Sequence, residues 1–120
     1  PDLYASASFF ILPSLFEPWG LVVNEAMSAG LPVALSVQCG CEPDLCSDAN
    51  GFSFDANDEN NIIETLKKIC GTTEMEKEAM GDASREKIAM FSPQIWAKRF
   101  ISLATQTNGS PDRSQQIPLF

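Results

Sequence analysis

A change of hydrophobic spacing between residues 9 and 35 restricts this chain more than any other feature. The run Phe9-Phe-Ile-Leu12, closed by Pro13-Ser14, has the continuous apolar character of a strand buried on both faces. Beyond the loop with Glu17, Pro18 and Trp19, the residues Leu21, Val22, Ala26 and Met27 fall near helical intervals until Gly30 and Pro32 stop the helix. Val33-Ala-Leu35 then opens a second apolar strand. Two strands joined through a helix are a parallel pair, and a parallel sheet needs helices over its faces.

The same segment carries the chemistry. The first N–H groups of a helix lack intrahelical partners and attract anions such as phosphate. Gly20 lets a ligand approach the backbone closely. Glu17 stands at the carboxyl end of the first strand, where ligands bind in open α/β sheets, and Glu25 projects from the helix towards the same crevice. Carboxylates repel phosphate but accept hydroxyl groups well. Phosphate at the helix start with polyols at both carboxylates describes a sugar nucleotide.

The rest of the chain continues the pattern. A first helical turn is expected over Leu3 to Ala7, and the helix after Gly20 should reach about Ala29, followed by a strand over Pro32–Ser36. Cys41 to Cys46 suggests a short helix with Pro43 in its first turn. Asn50-Gly51 reads as a turn before a strand over Phe52–Phe54. Asp58 is an expected N-cap for a helix whose apolar face is Ile62, Ile63, Leu66, Ile69 and Cys70, with Gly71 as its C-terminal stop. Thr73-Glu-Met-Glu76 is a capping box opening a helix to about Met90, with Met75, Met80 and Met90 as gap-filling apolar residues. Ser92 and Pro93 start a last helix with Trp96 and Phe100 on a packing face. Residues 105–120 form a polar tail expected to be disordered.

This order, β-α-β-(α)-β-α-α-α, fits the second half of a Rossmann-like open parallel sheet, strands 4, 5 and 6 of the order 3-2-1-4-5-6. Phe9–Leu12 would then be a bare apolar edge. A chain of 120 residues suits one domain, and its 44% apolar content supports a core. No apolar run approaches the ~18 residues of a membrane span, and with no positively charged start before an apolar stretch no signal peptide is expected. With 16 acidic and 8 basic residues, a net charge of −8 argues against nucleic acid. Cys39, Cys41, Cys46 and Cys70 lack a usual zinc spacing and there is no His, so they read as thiols of a reducing cytosol rather than a metal site.

The segment Phe16-Glu-Pro-Trp-Gly-Leu-Val-Val-Asn-Glu25-Ala-Met-Ser-Ala-Gly30-Leu-Pro-Val33 resembles the E-x7-E region of retaining glycosyltransferases of the two-domain GT-B fold, specifically the family 4 group. Ser36-Val-Gln-Cys-Gly-Cys-Glu-Pro-Asp-Leu45, Asn50-Gly-Phe-Ser-Phe54 and the tail from Phe91 to Leu103 resemble later parts of the same C-terminal, donor-binding domain. The resemblance covers roughly residues 2 to 104. It implies transfer of a sugar from a nucleoside diphosphate sugar to a hydroxyl of a glycan, lipid or other acceptor, with retention. Glu25 would hold ribose hydroxyls and Glu17, the catalytic candidate, the donor sugar. Backbone amides around Gly20, Leu21 and Val22 would face the diphosphate or the sugar, and Trp19 would either stack on the ligand or pack against a neighbouring domain.

No cofactor beyond the donor and no metal is expected, since no Asp-x-Asp is present. The N-terminal domain, and the basic residue that usually meets the diphosphate, would lie upstream, so these 120 residues alone are expected to be inactive. The expected location is cytoplasmic, with a membrane-peripheral option for a longer protein. Two other readings remain open: a non-catalytic, flavodoxin-like α/β binding module, and a truncated, inactive relative. An upstream α/β domain with a basic residue in a glycine-containing loop would favour the transferase.

Overall fold

The computed structural model describes residues 2–106, which fall into two units divided between residues 90 and 91. In the first unit, helix α1 (Asp2–Ser6) leads into β1 (Phe10–Leu12), followed by α2 (Leu21–Ser28), β2 (Val33–Ser36), α3 (Glu42–Leu45), β3 (Gly51–Phe54), α4 (Glu59–Gly71) and α5 (Glu74–Ala89). The second unit contains α6 (Pro93–Gln106), where Ser92 Oγ accepts from the Ile95 N–H as the capping expectation required. Thr105 and Gln106 close that helix, and the remainder of the expected polar tail lies outside the described residues.

The three strands are parallel in the order β1-β2-β3, with Val33 between Phe10 and Gly51, and Leu35 between Leu12 and Ser53. The chain is an α/β fold with the strand succession expected for the second half of a Rossmann-like sheet. Central β2 is wholly buried, while β1 lies at an edge and Ile11 is exposed. Alternation along β1 shows helices on both faces. Leu12 reaches towards Gly20 at the start of α2, whereas Ile11 and Pro13 line a cavity of about 200 Å³ with Phe54, Ile62, Thr65, Leu66 and Ile69 against α4.

The α2 side is the tighter one. Val23, Ala26 and Met27 are fully buried, and Gly81 of α5 lets that helix approach the Gly30 carbonyl so closely that a Cβ would overlap it. Asn50 is fully buried rather than an exposed turn residue. Its Oδ1 accepts from the Ser47 N–H at 2.8 Å and its Nδ2 donates to the Leu45 carbonyl at 2.9 Å, tying α3 to β3.

Several local expectations need correction. Leu21 and Val22 are exposed, because the buried stripe of α2 starts at Val23. On α4, Thr65 is buried while Ile63, Leu66 and Cys70 are exposed, so the inward face is rotated from the one hydrophobicity alone suggests. Gly71 is the last helical residue and has no positive φ; Thr72 caps α4. Met75 and Met90 are exposed, and Met27 is the methionine that fills the core. Trp96 and Phe100 are exposed on α6. Both N-terminal caps on α4 and α5 form as expected: Asp58 accepts from the Asn60 and Asn61 N–H groups, and Thr73 and Glu76 make the reciprocal capping box. No helix among the described residues is long and apolar enough to cross a membrane.

Candidate functional site

Helix α2 begins in an unusual way for a helix with tertiary support. Its N-cap is Gly20, at φ 81° and ψ 68°, and no side chain caps the helix. The Val23 N–H reaches the Gly20 carbonyl at 2.9 Å, but Leu21 and Val22, one residue earlier each, have N–H groups with no intrahelical acceptor. A Ser, Asp or Asn at this position could accept from the Val22 or Val23 N–H and satisfy one of the free donors from within the protein. Glycine leaves them for something else, at the end of the helix dipole that favours negative charge. The left-handed conformation also favours glycine directly, since any other L-residue would be strained there.

Glu17 is placed against that helix start. Its Cγ lies 3.3 Å from where a Cβ on Gly20 would sit, with Leu12 Cδ2 at 3.1 Å on the other side. The backbone of Glu17 is anchored independently of its carboxylate: it bridges in parallel to Cys39, and its carbonyl accepts from the Gly40 N–H at 2.7 Å. Gly40 is required for this approach, since a Cβ there would overlap the Pro18 carbonyl oxygen. The loops after β1 and β2 are therefore locked together behind Glu17, at the carboxyl ends of their strands. Trp19 is half-buried between Glu17 and Gly20 in the chain.

Glu25 is the fifth residue of α2 and is exposed. Tyr4 of α1 donates its hydroxyl proton to Glu25 Oε2 at 3.0 Å. That bond, then burial and the carboxylate charge, raises the Tyr4 phenol above its ordinary value. Glu17 and Glu25 thus flank α2 from different supports: Glu17 at the helix start, Glu25 beside α1. The sequence singled out both carboxylates and Gly20; it gave no signal for Tyr4, an aromatic residue in a short, unremarkable helix.

The cysteines serve this loop as packing. Cys39 and Cys41 are buried, and burial raises both thiols, Cys41 to about 11, with the neighbouring Glu17 adding to the effect in each case. They stay protonated near neutral pH and add no negative charge beside Glu17. The 200 Å³ cavity against α4 is lined by neither carboxylate, and its apolar walls make it a packing defect of the opposite face rather than part of this site.

Comparison with known proteins identifies the family. The family model described as "Glycosyl transferases group 1" matches residues 1–87. A sulfoquinovosyl transferase of Arabidopsis thaliana is 38% identical over 88 residues, which is 70% of this chain and 17% of that protein. A sucrose synthase of Melioribacter roseus is 29% identical over 99 residues, 79% of this chain and 12% of that protein. Among solved structures, the sucrose-phosphate synthase of Thermosynechococcus elongatus superposes with a TM-score of 0.73 at 28% identity, over 87% of this chain and 26% of that one. The chain spans a small part of each of these proteins. Its residues 1–87, with the Gly20 helix start and both carboxylates inside them, carry the match, and the chain belongs to the group 1 glycosyl transferases of the GT-B fold.

Proposed function

We propose that the complete protein carrying this chain transfers a sugar from a nucleoside diphosphate sugar to a hydroxyl acceptor, with retention at the anomeric carbon, and that these residues form the donor side of its site. The observation that carries the proposal is the uncapped start of α2 at Gly20, with the stem of Glu17 packed against it. The Leu21 and Val22 amides would receive the diphosphate, where negative charge grows as the glycosidic bond to it breaks. Glu17 would orient the donor sugar, Glu25 would accept from ribose hydroxyls, and Trp19 would border the sugar. The names of the relatives span sulfoquinovosyl transfer, mannosyl transfer and sucrose synthesis, which supports the class of reaction rather than one sugar.

No metal enters this scheme: the charge on the leaving diphosphate is met by oriented amides and by basic groups that the acidic chain, at net −8, must obtain from elsewhere in the complete protein.

Two substitutions in the complete protein test the assignment together. Glu25→Ala should weaken nucleoside diphosphate binding by about 1–3 kcal/mol, measured by calorimetry, because it removes an acceptor for ribose hydroxyls. Glu17→Gln should lower kcat more than it weakens nucleotide binding, since its partner is the sugar in transfer. Unchanged nucleotide affinity in the first variant removes Glu25 from the site. A change in donor KM with kcat intact in the second would make Glu17 a residue of uniform binding.

A further inference from the structure

We propose that Tyr4 is a positioning residue for the nucleotide, acting through Glu25; the proposal rests on the ribose role given to Glu25 above. Helix α1 has five residues, none of them buried, and so has little packing of its own to hold it. Tyr4 supplies the hold. Its ring sits against Phe10 of β1, with centroids 6.5 Å apart and planes tilted by 53°, and its hydroxyl donates to Glu25 Oε2. Phe10, paired into the sheet through Val33, thus supports the phenol, and the phenol holds a carboxylate that is exposed and would otherwise sample several rotamers.

One oxygen of the carboxylate stays free. Oε2 accepts the phenol proton, while Oε1 has no partner among the described residues. A carboxylate has lone pairs to spare after one such bond, so a held Glu25 still accepts from a pair of adjacent hydroxyls, now from one orientation. The phenol cannot replace the carboxylate in this role. It reduces the ordering that binding would otherwise require of Glu25, which is how preorganisation raises affinity.

The test compares ligands that differ only in the hydroxyls. UDP, GDP and ADP, each beside its 2′,3′-dideoxy form, are titrated by calorimetry into the complete protein, its Tyr4→Phe and Glu25→Gln variants, and a Leu3→Ala control on the same helix. Tyr4→Phe keeps the ring against Phe10 and removes the donated bond. It should weaken binding of the ribonucleotide by about 3- to 10-fold, the effect of one hydrogen bond, and leave the dideoxy form unaffected. Leu3→Ala should change neither.

Equal losses for both ligand forms would mean that Tyr4 supports only the fold, and would overturn the proposal. So would a ribose-specific loss in Glu25→Gln with none in Tyr4→Phe. If Glu25→Gln itself shows no loss, the ribose role falls first and the role of Tyr4 with it. A separate measurement checks the contact without any ligand. Tyr4 is the only tyrosine of this chain, and in the complete protein the difference in phenolate absorbance between the native protein and Tyr4→Phe isolates its titration. Its titration midpoint should fall in Glu25→Gln, because the bond to Glu25 is the first cause of its elevation. An unmoved midpoint would remove the contact on which the proposal depends.

Discussion

Helix α2 has a glycine at each end in the same backbone conformation, φ +81° at Gly20 and at Gly30, and the two ends have opposite surroundings. At the C-terminal end the structure closes on itself. The Gly30 N–H donates to the Met27 carbonyl and the Leu31 N–H to that of Ala26. Arg85 covers Gly30 and donates from Nη2 to the Ala29 carbonyl at 3.2 Å, and Gly81 brings the backbone of α5 against Gly30. At the N-terminal end no side chain caps the helix, and Leu21 and Val22 face outwards. The same residue type terminates the helix in one place and exposes its donors in the other. A left-handed glycine is therefore a statement about backbone shape only; the neighbours decide whether the helix end beside it is closed or left open.

The largest expected effect is at the closed end. Gly81 lies inside α5, where replacing glycine by alanine would by helix propensity alone stabilise by about 1 kcal/mol. A Cβ at this position, however, would overlap the carbonyl oxygen of Gly30, which is backbone and cannot rotate away. Overpacking usually costs about 1–3 kcal/mol, occasionally more, and a Cβ 2.2 Å from a backbone oxygen puts Gly81→Ala at or beyond the top of that range, so the loss should clearly exceed the propensity gain. Urea unfolding monitored by circular dichroism measures the difference. A stabilised variant would show that α5 does not approach α2 this closely in solution.

At the open end, Gly20→Ala places a side chain at positive φ, which costs roughly 1–2 kcal/mol. The neighbouring atoms, Leu12 Cδ2 and Glu17 Cγ, belong to side chains that can give way. Stability should therefore fall less than in Gly81→Ala, while nucleoside diphosphate affinity in the complete protein should fall more, because the stem of Glu17 is displaced and the helix-start amides are reoriented. A variant in which both glycines affected stability and affinity in the same ratio would erase the distinction between the ends.

How far the sequence already contained this contrast depends on the physics at each position. The strand order, the three-strand parallel sheet and the caps of α4 and α5 were legible, because apolar runs and capping residues act through the nearest few neighbours. Glu17, Gly20 and Glu25 stood out through their position at the end of a strand and the start of a helix. What could not be read were pairings across long separations. The hydrogen bond from Tyr4 to Glu25 spans 21 residues and that from Arg85 to Ala29 spans 56, and no local spacing encodes either. The same limit misplaced the buried faces of α2 and α4. Leu21 and Val22 are as apolar as the buried residues of α2, and Ile63 is more apolar than the buried Thr65, so the position of the sheet determines which side of a helix turns inwards.

The smallest expected effect concerns Arg85, which covers the closed end from outside. Its side chain is 56% exposed, and its ion pair with Asp82 at 3.1 Å lies at i,i+3 on the surface of α5. Such a pair contributes about 0.2–0.5 kcal/mol and is screened by salt. The bond to the Ala29 carbonyl adds about 0.5–1.5 kcal/mol, reduced here by competing water. Arg85→Ala should therefore cost on the order of 1 kcal/mol, with part of the loss disappearing at high salt. The sharper measurement is a double-mutant cycle with Gly30→Ala. A Cβ on Gly30 would overlap the guanidinium, which lies at the movable end of a long side chain. In the native background Gly30→Ala therefore carries both the cost of positive φ and the loss of the Arg85 contacts. With Arg85 already removed only the first remains, so the combined loss should be smaller than the two single losses added together. Strict additivity would mean that Arg85 does not cover Gly30 in solution, and the closed end of α2 would then rest on its own backbone hydrogen bonds and the approach of α5 at Gly81.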